Sequence, residues 1–180
     1  PINTESRIKK LIQKEIVNAK NGKVAWIKIK INNLTSHSLI KSLYDASRAG
    51  VKIKMIVRGI CCLVPGIKNM SNNIEVISIV DRFLEHTRFM IFNNDNKNKV
   101  YISSADWMTR NLDNRVEVTC PIFQNDLKQE INDIFEIYWK DNVKSSKVNS
   151  SKSNKPFYSK NIHRSQEKIY QYYLNKIEKS

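Results

Sequence analysis

Cysteine is too scarce and too poorly spaced in this chain to organise it. Cys61, Cys62 and Cys120 are the only three, two of them adjacent and none in a CxxC pair. Neither a disulfide framework nor a zinc site is indicated. All three lie in apolar runs, where a buried, reduced thiol is the expectation. No apolar run reaches the length of a membrane span, no signal-peptide pattern is visible, and no repeat of solenoid period occurs. Acidic charge is also short: 17 Asp and Glu stand against 31 Lys and Arg, a formal net charge of +14. Such an excess implies a polyanionic partner (nucleic acid, an anionic membrane surface or an inorganic polyanion), or else a lysine-rich solubilising surface. Arginines set beside a histidine therefore carry more information here than the lysines do.

The 180 residues suffice for one compact domain with extensions. The opening at Pro1, already on the approach to a helix, suggests either a piece of something longer or a chain whose initiator Met has been removed. Apolar periodicity predicts a helix over 4–20 with Ile8, Leu11, Ile12, Ile16 and Ala19 inward, ended by Asn21-Gly22. Residues 24–31 alternate as a strand with one buried face. Thr35 or Ser36 caps a second helix that turns Leu39, Leu43 and Ala46 inward and closes at Ala49-Gly50. A strand over 51–57 follows and ends at Arg58-Gly59. This strand–helix–strand order predicts parallel pairing through a right-handed crossover. Further strands are expected over 74–80, 88–93, 99–103 and 115–120, the middle pair joined as a hairpin through DNKNK. A helix over 125–139 buries Leu127, Ile131, Ile134, Phe135 and Tyr138, and a last helix spans 164–179. The fold class is α/β, a mixed β-sheet flanked by helices. The Ser-, Lys- and Asn-rich stretch 145–155 lacks apolar period and reads as linker or mobile loop.

The chemistry concentrates in residues 78–120. His86 sits in a segment with apolar residues at either side, Phe83-Leu84 before it and Phe89-Met90 after it, two places before Arg88. A strand-like run then breaks at Ser103-Ser104, followed by Asp106, Arg110, Asn111, Arg115 and Glu117. A histidine that can move a proton or take a phosphoryl group, with arginines able to fork onto phosphate oxygens, suits phosphoryl chemistry. Arg58 closes a buried strand, and ligand groups in open α/β sheets gather beyond the carboxyl ends of strands. Arg88 either holds phosphate or forms a salt bridge within the sheet. Asp106 and Asp113 read as loop structure or ion pairs, Arg110 as a candidate phosphate contact, and Trp107 as a loop anchor. His37 and His163 read as surface residues. If 115–120 is a strand, Glu117 shares a face with Arg115 opposite Val116 and Val118, and can look into the site.

Read as a set, His86-Thr87-Arg88, then Ser103-Ser104-Ala105-Asp106, then Glu117 resemble the second half-site of the phospholipase D superfamily. There the pattern is His-x-Lys, a strand, Gly-Ser-x-Asn and a late Glu, so Arg88 replaces Lys and Asp106 replaces Asn. With RGICCL before it, FLEH within it and SSADWM and RNLD after it, the chain closely resembles the C-terminal domain of bacterial polyphosphate kinase. The resemblance runs from about residue 8 to the helix near Trp139 and returns weakly near Arg164. It implies a phospholipase D-like catalytic subdomain over 1–143, a linker or mobile loop over 144–160 and a C-terminal helix over 161–180. It further implies an ATP:polyphosphate phosphotransferase, moving the terminal phosphoryl group of ATP reversibly onto polyphosphate through a phosphohistidine in an upstream domain. On that basis His86 is the catalytic residue here. Arg58, His86, Arg88 and Arg110 contact ATP or phosphate, and Glu117 orients the histidine through a hydrogen bond. Mg²⁺ is implied, with its ligands outside this stretch and no metal site within it. The implied partners are ATP or ADP, inorganic polyphosphate, upstream domains and further copies of the chain, without a specific nucleic acid. The implied location is cytoplasmic, with or without peripheral contact to the inner face of the membrane. The fragment alone is expected to be inactive. Two rivals remain: a phosphodiesterase or nuclease that pairs two copies of His86 across a dimer, and a non-catalytic polyanion- or RNA-binding module using the lysine excess.

Overall fold

In a computed structural model, residues 3–149 and 161–178 are described. The element order is α1 (Thr4–Lys20), β1 (Trp26–Ile31), α2 (His37–Arg48), β2 (Lys52–Val57), β3 (Ile74–Ile79), β4 (Phe89–Phe92), β5 (Lys99–Ser103), α3 (Thr109–Leu112), β6 (Thr119–Ile122), α4 (Asn125–Trp139), β7 (Ser145–Val148) and α5 (Ser165–Ile177). Among the described residues the strands form one sheet in the order β6-β5-β4-β1-β2-β3-β7. The β1–β2 and β2–β3 pairs are parallel, and every other pair is antiparallel. This is the mixed α/β sheet expected from the pattern.

Helices cover both faces. Ile8, Ile12 and Ile16 of α1 and Leu39, Leu43 and Ala46 of α2 join Ile27, Ile29, Ile31, Ile53 and Met55 in one core. Phe135 and Tyr138 of α4 join Ile56, Ile77, Phe89, Ile91 and Val100 in a second core on the opposite face. Ser36 caps α2, its hydroxyl accepting from the Leu39 amide. In the β4–β5 hairpin Asn94, Asp95 and Asn96 take φ values of 48°, 60° and 61°, a left-handed course that Asn and Asp tolerate better than branched residues.

Four expectations change. The last strand of the hairpin layer lies at Thr119–Ile122, not over 115–120, because β5 pairs Ser103 with Thr119 and Val100 with Ile122. Pro121 falls within it, which an edge strand accepts. Val116 and Val118 are consequently exposed. Within the expected linker, Ser145–Val148 is a strand along β3. Its start is tied to Asp141, whose Oδ1 accepts from the Val143, Lys144 and Ser145 amides. Tertiary pairing here overrides a composition that reads as loop. Residues 150–160 of that expectation lie outside the described ones. The thiols are not buried: Cys62 and Cys120 are exposed and Cys61 is half-buried. Leu127 is also exposed, at 38%.

Candidate active site

The carboxyl ends of β1, β2 and β3, the start of β4 and the end of β5 all meet at one edge of the sheet. Asn32, Arg58 and His86 are therefore brought together from segments far apart in the chain. Arg58 donates from Nε to Asn32 Oδ1 at 2.9 Å, and Asn32 Nδ2 donates to the His86 carbonyl at 3.5 Å. A Cβ at Gly59 would meet Asn33 Oδ1 at 2.7 Å, so a larger residue there would push the Asn33 side chain off the Ile60 amide and Asp106.

Asp106 anchors the arrangement. Its carboxylate receives the Asn32 amide at 2.8 Å, the Asn33 amide at 3.2 Å and Asn33 Nδ2 at 3.0 Å. The Arg88 guanidinium forks onto the same carboxylate, Nε at 2.8 Å and Nη2 at 3.3 Å. Burial alone would raise the Asp106 pKa, but these hydrogen bonds and the Arg88 charge outweigh it and hold the carboxyl below its ordinary value. The ion-pair reading of Asp106 holds, and so does Trp107 as anchor: it is 1% exposed, and its carbonyl accepts from the Thr35 and Ser36 amides.

Arg88 also donates from Nη1 to the His86 carbonyl at 3.2 Å, and its Nη2 lies 3.0 Å from His86 Nε2. A guanidinium has only donors, so Nε2 must supply a lone pair and the neutral ring carries its proton on Nδ1. Arg88 is thus committed to Asp106 and His86, the salt-bridge alternative, which leaves little of its fork for phosphate.

Glu117 does not orient the histidine, because residues 115–118 precede β6 and the parity argument has no strand to act on. Among the described residues no hydrogen bond joins its carboxylate to His86. It accepts instead from Ser104 Oγ and from Asn111 Nδ2, bonds that hold it below the ordinary carboxylate range. Ser103 and Ser104 close the same loop, through Thr119 Oγ1 at 2.9 Å and the Val118 amide at 3.1 Å. Arg110 is exposed on α3, and no hydrogen bond or ion pair among the described residues joins it to His86 or Arg58. His37 is exposed as expected. His163 is half-buried, its Nε2 lying 2.9 Å from the Ile137 carbonyl.

Lys30 was missed. It is 3% exposed, lies 3.5 Å from Glu85, donates to the Thr87 carbonyl at 3.1 Å and sits 4.9 Å above the Tyr138 ring. Burial lowers its pKa, Glu85 pulls it back, and the charges of Arg58 and Arg88 add to the lowering. Strand alternation assigns Lys30 to a polar face, and nothing in that signal says α4 will cover it. Its place at the carboxyl end of a parallel strand was the available hint.

Arg58 lines a cavity of about 240 Å³ with Ile79, Val80, Asp81, Arg82, Phe83, Leu84 and Glu85. A separate groove of about 1030 Å³ runs between α1 and β5–β6, lined by Arg7, Lys10, Lys14, Lys97, Lys99 and Lys128, with Glu117 its one acidic residue. Among the described residues no group of three or more His, Cys, Asp or Glu is placed to hold a metal ion. The acids at the site, Asp106, Glu85 and Asp81, are engaged by Arg88, by Lys30 with Tyr138 and by Arg164. These residues do not fit a magnesium site.

The fold is that of a phospholipase D-like α/β domain. The crystal structure of the phospholipase D family member Nuc from Salmonella typhimurium superposes with a TM-score of 0.55 at 16% identity, over 75% of this chain and 89% of that one. That likeness is one of fold. The family profile described as Polyphosphate kinase C-terminal domain 2 matches residues 1–168, and the chain belongs to this family. It is 52% identical to the polyphosphate kinase of Vibrio parahaemolyticus, over 99% of this chain and 26% of that protein. The crystal structure of polyphosphate kinase from Porphyromonas gingivalis superposes with a TM-score of 0.96 at 45% identity, over 99% of this chain and 28% of that one. The chain thus spans about a quarter of the length of the curated relatives it matches.

Proposed function

We propose that this chain forms the C-terminal part of a polyphosphate kinase, and that its sheet edge is one half of a site for reversible phosphoryl transfer between ATP and inorganic polyphosphate. The observation that carries this reading is the convergence of Arg58, Lys30 and the Arg88–His86 pair at one end of the sheet. Phosphoryl transfer is governed mainly by positioning and charge neutralisation. In this reading Arg58, held by Asn32 yet lining an open cavity, takes phosphate oxygens directly. Lys30 adds a fixed positive charge beneath them. His86 Nδ1–H donates to a phosphoryl oxygen, and its Nε2 becomes a base only on parting from Arg88. Arg110 is a secondary phosphate contact, approaching from the exposed α3. Ligands for Mg²⁺, which would neutralise charge on the nucleotide phosphates, and the phosphohistidine belong to another part of the polypeptide. Assembly with that part and with further copies, and a cytoplasmic location, belong to the same reading. No helix among the described residues is long and apolar enough to cross a membrane.

Calorimetric titration with tripolyphosphate at several salt concentrations tests it. Binding should weaken steeply with salt, by counterion logic, and Arg58→Ala should lower affinity about tenfold, as expected for one charge-assisted contact. Undiminished binding by Arg58→Ala would sink the reading. In the complete polypeptide, His86→Ala should slow turnover roughly a hundredfold, the scale of acid–base catalysis. The chain alone should make no polymer from ATP.

A further inference from the structure

The segment that carries His86, residues 80–88, has no helix or strand of its own. It is held instead by side chains from the far end of the chain. Arg164, the residue before α5, forks onto Asp81, Nε at 2.8 Å and Nη2 at 2.6 Å. The Asp81 side chain is 1% exposed. Two residues on, Gln166 treats the segment as a neighbouring strand would. Its Oε1 accepts from the Phe83 amide at 3.1 Å, and its Nε2 donates to the Phe83 carbonyl at 2.9 Å. The same Nε2 reaches Glu85 Oε1 at 3.0 Å. Glu85, the neighbour of His86, is fixed from the other side by Tyr138 and Lys30.

We propose that Arg164 and Gln166 are positioning residues for His86, holding the segment between β3 and β4 in the one course that sets the imidazole against Arg88. An irregular segment keeps a catalytic side chain in place only when other groups supply the hydrogen bonds a regular element would supply. Here those groups come from α5, and α5 is fastened to the body independently of the loop. Ile169 packs into the α4 core, Tyr173 and Lys176 bind Glu130, and the Ser165 amide donates to Asp141 at 2.7 Å. The loop contacts can therefore be removed without detaching the helix. The consequence for phosphoryl transfer rests on the function proposed above, whereas the bracing itself does not.

The experiment uses this chain, with Arg164→Ala, Gln166→Ala and Arg164→Lys as variants. Amide exchange at Phe83 should quicken about tenfold in both alanine variants, as for local opening, while the β2 amide of Ile56 keeps its rate. At a pH where the ring is neutral, the wild-type His86 nitrogens should give two distinct ¹⁵N resonances, one protonated and one bare. In the alanine variants they should move toward an average as the tautomers mix. Arg164→Lys keeps the charge but not the fork and should fall between. Tripolyphosphate affinity should fall up to about tenfold, the cost of a misplaced group. Ring nitrogens identical in the wild type and both alanine variants would overturn the proposal. Exchange quickened equally at Phe83 and Ile56 would also overturn it, by marking a loss of fold rather than of position. A wild-type chain that ignores tripolyphosphate rejects the anion-site reading alone, since the ring resonances still decide the brace.

Discussion

Along β1, Ile27, Ile29 and Ile31 pack with α1 and α2, while Lys28 and Lys30 meet α4 and the segment before β4. Both faces are covered, but by different physics. The isoleucines need only close packing, and their burial is favourable whatever apolar atoms surround them. A buried ammonium is tolerated only where acceptors and aromatic faces replace water. Lys28 has Glu136 at 2.8 Å, Asn132 at 2.7 Å and the Trp26 ring at 4.7 Å. The apolar face is thus interchangeable in detail and decisive for stability. The charged face is specific in detail, and leads directly into the candidate site.

The apolar side should break hardest. Ile29→Ala should cost about 2–5 kcal/mol, the range for truncating a fully buried aliphatic side chain, measured as urea unfolding free energy. A loss smaller than that of Lys30→Met would reverse the ranking of the two faces.

On the polar side, β1 runs into Asn32 and Asn33, whose amides bind the depressed-pKa Asp106. A carboxyl lowered from its ordinary value of 3.8 contributes stability that is full above that value and is lost as pH falls through the lower folded-state value. Between pH 5 and acid unfolding, Asp106→Asn should flatten the stability curve and cost roughly 1–3 kcal/mol at neutral pH, the worth of hydrogen bonds to a charged group. An unaltered acid limb in denaturation scans would remove Asp106 as the anchor.

Lys30→Met keeps the stem and deletes the charge. It should cost about 2 kcal/mol, less than the roughly 3–5 kcal/mol of a buried pair broken outright, because Tyr138 and Gln166 still donate to the Glu85 carboxylate. Its tripolyphosphate affinity should nonetheless fall severalfold. A Met variant that binds like the wild type would make Lys30 purely structural. Lys28→Met should cost under about 1 kcal/mol, as for a partly exposed pair, and leave anion binding intact. Thermal melts together with the same titration separate the two lysines.

Much of this was legible in the residues. The period of α1, α2 and α4, the alternation of β1 and the turn at Asn94–Asn96 are local signals, and each element formed where its own pattern put it. The ion-pair reading of Asp106 and the anchoring role of Trp107 also held. Glu117 failed because strand parity was applied to residues 115–118, which precede β6 and follow a loop course tied to Ser104. Three expected groups (Ser103, Ser104 and Glu117) turned out to bind one another's loop. Asn32, which ties Arg58 to the histidine segment, sits in a plain INN run with no motif to mark it. β7 was hidden by a composition that reads as loop, and only the open edge of β3 gave those residues a partner.

The sequence by itself determined the fold class and the family, and it singled out His86 and Arg58 as candidate site residues, because periodicity and motif spacing act within a few residues of each other. The tertiary structure alone decided what each charge faces. Arg88 turns to Asp106, Lys30 goes beneath α4, and Arg164 crosses to Asp81. A charged side chain takes its partner from whatever the fold carries within a few ångströms of it, and for Arg164 that partner lies 83 residues away.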